Sequence, residues 1–156
     1  MVENDDVAKR VSHWNDGCPV ARALDVIGDW WSLLIIRDAF DGVRRFGEFQ
    51  SSLGIAKGML AMRLRDLTER GILKTAPASD GTAYKEYVLT KKGSSLFLVI
   101  VALRQWGEEH LYTANEPRSS MIDRETRAPV PRLELLGKNG RRLTWRDTEV
   151  LKVAYK

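Results

Sequence analysis

One predicted helix combines an apolar stripe with a basic face. Between Lys57 and Arg70, three leucines recur at i, i+4 and i+7, the spacing of a buried helical stripe. The opposite face carries Lys57, Gly58, Met59, Met62, Arg63 and Arg65. Cationic side chains on the exposed face of a helix bind phosphates and read base edges in the DNA major groove. The pattern therefore predicts a DNA-contacting helix.

The residues of this face have different expected roles. Arg65 points most directly away from the leucine stripe and is expected to reach a guanine edge or a phosphate, whereas Arg63 is expected to take a phosphate. Met62 and Met59 are expected to touch a thymine methyl, although packing beneath a neighbouring helix explains Met59 equally well. Gly58 lets the helix N-terminus and its free N–H groups approach a phosphate closely.

Two neighbouring segments are expected to hold this helix in place. A short helix from Phe46 to Leu53 precedes it, and Gly54 supplies the turn between the two. Two alternating segments, residues 72–76 and 84–89, flank the turn-forming residues 79–81 and predict a β-hairpin, or wing. The order helix, turn, helix, hairpin is typical of a winged helix-turn-helix.

Four further cations lie at the edges of this unit. Lys74 and Lys85 belong to the predicted wing and are expected to contact phosphates. Arg44 and Arg45 come just before the first helix of the motif. We expect one of them to reach the DNA backbone and the other to pair with Asp41 or Glu48. From residue 42 to residue 92 the chain holds ten Lys or Arg against five Asp or Glu, an excess of +5. This local surplus suits a polyanion partner.

The remaining segments predict a scaffold and an appendage. Helices are expected from Pro19 to Gly28, from Trp30 to Phe40 with Asp29 as N-cap, and over 91–112. The last helix is apolar almost all round across 96–103, so it needs cover on two sides, which a second copy of the chain supplies most simply. Residues 1–17 are expected to form a flexible arm. The region 118–156, with Asn139-Gly140 between short apolar segments, predicts a β-hairpin extension.

Composition narrows the class of protein. The 156 residues are 44% hydrophobic and 29% charged, typical of a globular chain, and no apolar run approaches the roughly 20 residues of a membrane span. The cytoplasm is the default compartment, since the N-terminus has no signal-like apolar region. With one cysteine, two histidines and no phosphate-loop or nucleophile-elbow motif, we expect no enzyme, cofactor or metal site.

The order of local sequences resembles a known family. Cys18-Pro19-Val20, the segment 24–31, the segment 44–49 and the helix 59–67 are together similar to HxlR-type winged helix-turn-helix regulators, relatives of the MarR type. The match covers residues 18–112. It implies an α+β, mainly helical fold with a long C-terminal dimerisation helix, here followed by a small β appendage. It also implies a bacterial homodimer that places two recognition helices on one side of a pseudo-palindromic DNA operator.

Two alternatives stay open. Cys18 precedes a helix and resembles the thiol switch of some relatives, but a small residue buried at a dimer interface explains it equally well. A winged helix that binds proteins instead of DNA is the rival function. Modulation by a small-molecule effector is also expected, with the aromatic residues Trp30, Trp31, Phe97 and Trp106 as one place where an apolar ligand could enter.

Overall fold

The computed structural model describes residues 11–153. Six helices and one hairpin follow each other along the chain. They are α1 (Pro19–Ile27), α2 (Trp30–Phe40), α3 (Phe46–Leu53), α4 (Lys57–Glu69), β1 (Leu73–Pro77), β2 (Lys85–Leu89), α5 (Lys91–Ser94) and α6 (Phe97–His110). The predicted helix-turn-helix and hairpin are confirmed, and the fold is a winged helix-turn-helix.

One apolar core joins the helices to the wing. Its fully buried side chains come from α2, α3, α4 and β1: Ile35, Ile36, Phe49, Leu60, Leu64, Leu67 and Leu73. The leucine stripe predicted on α4 is thus wholly inside. The two strands pair antiparallel with Leu73 opposite Leu89 and Pro77 opposite Lys85. The wing follows α4 directly in the chain.

Two local sequence signals determine where α2 begins and where α3 ends. Asp29 caps α2, because its carboxylate accepts a hydrogen bond from the Ser32 N–H at 2.9 Å. Gly54 ends α3 with a φ of 62°, the left-handed region that glycine enters without a steric penalty. Its N–H donates to the Gln50 carbonyl at 2.9 Å. The sequence predicted both of these features.

The last predicted helix is two helices, and the prediction of one continuous helix over 91–112 was wrong. Thr90 caps α5 and also donates its hydroxyl to the Gly71 carbonyl at 2.5 Å, which ties α5 to the start of the hairpin. A Cβ on Gly93 would lie 2.1 Å from the Ile72 carbonyl oxygen, so the backbone approaches there too closely for any side chain. A turn at Ser95 and Leu96 then redirects the chain into α6.

The C-terminal region forms no strand in the part that the structure describes, in contrast to the predicted β-hairpin. It holds two isolated bridges, Ile122 with Pro129 and Leu136 with Arg142. The second bridge flanks the turn at 137–140 and so keeps the predicted position of the hairpin. The region lies against α6, where Gln105 donates to the Pro131 carbonyl at 2.9 Å and accepts from the Leu133 N–H at 2.8 Å.

A large apolar surface remains outside the core. On α6, Leu98, Val99 and Trp106 are between 41% and 60% exposed, and Leu24 on α1 is 52% exposed. A single chain therefore covers only part of the helix that the sequence predicted to be apolar all round. None of the helices in the described residues has the length and apolar character needed to cross a membrane.

The predicted N-terminal arm is described only from residue 11, and residues 1–10 lie outside the described part of the chain. Residues 11–18 adopt no helix or strand. Ser12 donates its hydroxyl to Asp25 at 3.2 Å and the His13 N–H reaches the same carboxylate at 3.3 Å, so this part of the arm contacts α1.

Candidate nucleic-acid interface

The outward face of α4 keeps part of the predicted set of contact residues. Lys57, Gly58, Ala61 and Arg65 are all exposed. Among the described residues, no carboxylate lies within ion-pair distance of Lys57 or Arg65. A Cβ added to Gly58 would meet nothing within 4 Å, so the first turn of the helix is open to a ligand. Arg65 thus presents an uncompensated guanidinium at the place that the sequence predicted.

Arg63 is engaged within the protein instead. Its Nε lies 3.3 Å from Oδ1 of Asp29, the N-cap of α2, and Nη1 lies 3.9 Å from Asp66. The side chain is only 22% exposed. The buried Nε has no hydrogen-bond partner, so the contact with Asp29 is electrostatic and not a hydrogen bond. The structure therefore gives Arg63 an intramolecular role beside the phosphate contact predicted for it.

The two methionines are half-buried. Met59 packs against the hydrophobic core, which favours the packing alternative for this residue. Met62 is also half-buried but does not contact the core cluster as Met59 does. Contact with a thymine methyl stays a prediction, and Met62 is now the better placed of the two.

The wing is held to the start of α3 by Arg45. Its guanidinium contacts the Asp80 carboxylate at 2.5 Å and lies 3.8 Å from Glu86. The hydrogen bond to Asp80 raises the pKa of Arg45. Hydrogen bonds from Arg45 and then from Thr82 lower the pKa of Asp80 from its ordinary 3.8 to about 2. Arg45 pairs with Asp80, so the expectation of a pairing with Asp41 or Glu48 was wrong for its side chain.

Glu86 is a buried carboxylate within this wing contact. It is 4% exposed and accepts hydrogen bonds from the Ser79 N–H at 3.1 Å and the Ser79 hydroxyl at 2.9 Å. These two bonds are the main reason why the pKa of Glu86 is lowered. No role was predicted for Glu86 from the sequence. Its signal was indirect, namely an acidic residue in an alternating strand that follows an arginine pair.

Arg44 remains mostly in solvent while its backbone is anchored. The side chain is 53% exposed, with its Nη1 3.6 Å from Glu86. The Arg44 carbonyl accepts a hydrogen bond from the Tyr87 N–H at 2.7 Å, although no strand forms there. Glu48 caps the start of α3 by accepting from the N–H groups of Arg44 and Arg45 at 3.1 and 3.0 Å, and these bonds lower its pKa.

Both wing lysines are exposed. Lys74 lies opposite Val88 and Lys85 opposite Pro77 in the hairpin. No carboxylate among residues 11–153 lies within ion-pair distance of either amine. Of the seven cations predicted to contact DNA, three are thus paired within the protein. The four unpaired cations are Lys57, Arg65, Lys74 and Lys85.

Cys18 is a free, exposed cysteine directly before α1. The apolar side chains that follow it on this helix, Val20 and Leu24, are 66% and 52% exposed. The thiol therefore lies beside an uncovered apolar surface in the single chain.

The geometry of this helix-turn-helix and wing agrees with comparisons to known proteins. Residues 26–115 match the family model of the HxlR-like helix-turn-helix. The chain belongs to the HxlR-like helix-turn-helix family. This confirms the resemblance that the sequence indicated.

Three relatives show how far this HxlR-like chain agrees with other members. It is 48% identical over 101 residues to an uncharacterized HTH-type transcriptional regulator of Mycobacterium tuberculosis; the match covers 65% of this chain and 64% of the relative. The crystal structure of PA1607, a candidate transcription factor, is 50% identical with a TM-score of 0.87 and covers 92% of this chain and 100% of its own. The reduced redox regulator HypR is 33% identical with a TM-score of 0.56, covering 60% of this chain and 94% of its own.

Proposed function

We propose that this HxlR-like protein is a transcriptional regulator that binds specific DNA sequences through α4 and the wing. One observation carries the proposal. A helix whose inner leucines are fully buried presents Arg65 and Lys57 outward, with no carboxylate of the described residues to neutralise them. A rigid helix with unpaired cations on its outer face suits the major groove. A function on chromosomal DNA also implies a cytoplasmic location.

The cations of α4 and those of the wing have different proposed roles. Arg65 on α4 is proposed to read a guanine edge or hold a phosphate, and Lys57 with the first N–H groups of the helix holds a phosphate. Lys74 and Lys85 bring the wing to the DNA backbone. Arg44, just before α3, adds a further guanidinium that is mostly exposed. Phosphate contacts position the protein, and base contacts give specificity.

A homodimer is part of the proposal. The apolar side chains exposed on α1 and α6 support it, because a large exposed apolar area is typical of an interface. Two copies joined there would present two recognition helices to successive major grooves of a pseudo-palindromic operator, about one helical turn apart.

Duplex binding measured by fluorescence anisotropy tests this function. Genomic fragments bound by the protein supply the operator, and a scrambled duplex supplies the non-specific reference. We expect Arg65→Ala to weaken operator binding by about 5- to 150-fold, the cost of one lost bidentate contact. Lys138→Ala, which removes an exposed cation from the C-terminal region, is the matched control and should bind as the wild type does.

The salt dependence gives a second, independent reading. Affinity should fall steeply with salt, and a variant that loses one phosphate contact should show a slope reduced by about one. Equal binding of the operator by wild type and Arg65→Ala, with both folded, would favour the rival function of a protein-binding winged helix.

We also propose that oxidation of Cys18, or a small-molecule effector, modulates DNA affinity. The exposed thiol beside an uncovered apolar helix supports a thiol switch between two copies, and the related HypR is a redox regulator. Diamide treatment followed by non-reducing electrophoresis tests it. A covalent dimer that forms in the wild type and not in Cys18→Ser would support the switch. A chain that stays monomeric under denaturing conditions would favour the alternative, a small residue buried at the interface.

A further inference from the structure

A cavity of about 880 Å³ lies between α2, α6 and the C-terminal region. We infer that it is a binding site for a small molecule with an apolar, aromatic body and one acidic group. The volume is in the range of known small-molecule sites, roughly 300–1,000 Å³. Its position differs from the one considered from the sequence: Phe97 lines it, and the tryptophans Trp30, Trp31 and Trp106 do not.

The walls of the cavity are mainly apolar and come from three separate parts of the chain. The side chains that would hold the body of the ligand are Leu33 and Phe40 on α2, Phe97 and Leu103 on α6, and Met121 and Ile122 in the C-terminal region. Burial of a ligand here removes apolar surface from water on both sides, which is the main driving force for binding. Met121 adapts its shape most readily, because methionine is unbranched and flexible.

Four of the eight charged side chains that line the cavity are already engaged within the protein. Arg104 contacts Glu108 at 3.3 Å and donates to the Ser119 carbonyl at 3.1 Å. Arg37 binds Asp38 through two nitrogens at 2.9 and 2.7 Å. Oδ1 of Asp123 accepts two backbone hydrogen bonds in a local turn. These groups shape the cavity, and each already has a partner within the protein.

Of the two lining arginines that remain available, Arg118 is the one that contacts an aromatic ring. Its guanidinium lies over the ring of Tyr112, with 5.6 Å from Cζ to the ring centroid. No carboxylate of residues 11–153 lies within ion-pair distance of it or of Arg124, which lines the same cavity. A guanidinium fixed on an aromatic ring is pre-organised to bind a carboxylate or sulfonate. Asp41 and Glu125 also line the cavity without an ion pair, so preference for a cation is the competing outcome.

The cavity is connected to the DNA-binding elements through α2. This helix forms one wall and packs on α3, α4 and α6. A ligand that favours one position of α2 relative to α6 therefore changes the placement of α4. This regulatory consequence rests on the proposed DNA-binding function, whereas binding of the ligand does not.

Two dyes and two variants of Gly107 test the inference. Anilinonaphthalene sulfonate and N-phenylnaphthylamine share one aromatic body, and only the first carries an acidic group. Gly107 lines the cavity, and a Cβ there would meet only Leu111 Cδ1, at 4.0 Å. Gly107→Phe should therefore fill the cavity without removing any existing contact. Gly107→Ala is the matched control, since it also replaces the glycine of α6 but leaves the cavity open. Circular dichroism checks that both variants fold.

We expect one sulfonate dye per chain, bound about tenfold more tightly than the neutral dye. Gly107→Phe should weaken sulfonate binding by about tenfold or more, and Gly107→Ala should leave it unchanged. Arg118→Gln should make the two dyes bind about equally. Wild-type affinity in Gly107→Phe would place the dye on the exposed apolar surface and overturn the inference. Equal or tighter binding of the neutral dye by the wild type would overturn the acidic preference.

Operator binding, measured with and without the sulfonate dye, separates this inference from the proposed function. A protein that binds operator but no dye retains the function and loses the cavity site. A protein that binds the dye in the cavity but no duplex retains the site and loses the function.

Discussion

Nε of Arg63, on α4, lies 3.3 Å from Oδ1 of Asp29, the residue that caps α2. The same carboxylate oxygen accepts the hydrogen bond from the Ser32 N–H. One residue therefore both starts α2 and attracts a cation of α4. This shared carboxylate lies where α2 and α4 pack directly on each other.

Replacement of Asp29 separates its two roles. Asp29→Ala should lower the free energy of unfolding by about 1 kcal/mol through loss of the cap. Asp29→Asn should cost less, because asparagine caps a helix as well as aspartate does and only the attraction to Arg63 is lost. Urea denaturation monitored by circular dichroism measures both. An equal loss in the two variants would mean that the charge, and not the cap, stabilises this junction.

Arg63 and Arg65 should respond differently to alanine. Arg63→Ala is expected to lower the free energy of unfolding, because it leaves Asp29 without its cation and removes a side chain that is only 22% exposed. Arg65→Ala should change stability by less than about 0.5 kcal/mol, as is usual for an exposed site, and should cost more operator affinity. Urea denaturation measures the stability of each variant, and fluorescence anisotropy on the same preparations measures its operator affinity. A larger loss of affinity for Arg63→Ala would show that DNA draws Arg63 away from Asp29.

The contact between Arg45 and Asp80 predicts a pH dependence. Folding lowers the pKa of Asp80 from 3.8 to about 2. A carboxylate whose pKa falls on folding stabilises the folded state above its unfolded pKa, and this contribution is lost as the pH falls towards the folded value. The wild type should therefore be more stable than Asp80→Asn at neutral pH, and the difference should shrink below about pH 4. Urea denaturation over a pH series measures it. A difference that grows on acidification would contradict this assignment.

Leu98 on α6 predicts the oligomeric state. It is 60% exposed in the single chain, and in the proposed homodimer it is covered by the partner. Leu98→Glu should therefore give a monomer in size-exclusion chromatography with light scattering, while the circular dichroism spectrum is kept. Leu135→Glu is the control, because Leu135 is 61% exposed but belongs to the C-terminal region. A dimer that persists in Leu98→Glu and dissociates in Leu135→Glu would move the interface to that region.

Alanine at Gly54 and alanine at Gly58 should change the stability of the protein in opposite directions. Gly54 has a φ of 62°, so Gly54→Ala should lower the free energy of unfolding by roughly 1 kcal/mol. Gly58 lies in the first turn of α4, where a Cβ meets nothing within 4 Å. Gly58→Ala should therefore raise the free energy of unfolding by up to about 1 kcal/mol. Thermal unfolding compares the two. A destabilised Gly58→Ala would show that the open first turn of α4 is not as accessible as the structure indicates.

The sequence by itself determined the winged helix-turn-helix. The leucine stripe of α4, the Asp29 cap and the glycine turn at Gly54 are local patterns, because helical periodicity and backbone conformation depend on residues a few positions apart. The exposed position of Arg65 followed from the same periodicity.

Only the tertiary structure decided which cations pair within the protein. Arg45 contacts Asp80, which lies 35 positions further along the chain, and Arg63 contacts Asp29 at the start of another helix. The close approach of Gly93 to Ile72 places α5 against the start of the hairpin, and the cavity exists only because the C-terminal region folds back on α6. Such contacts depend on how distant elements pack, and no local periodicity encodes that arrangement.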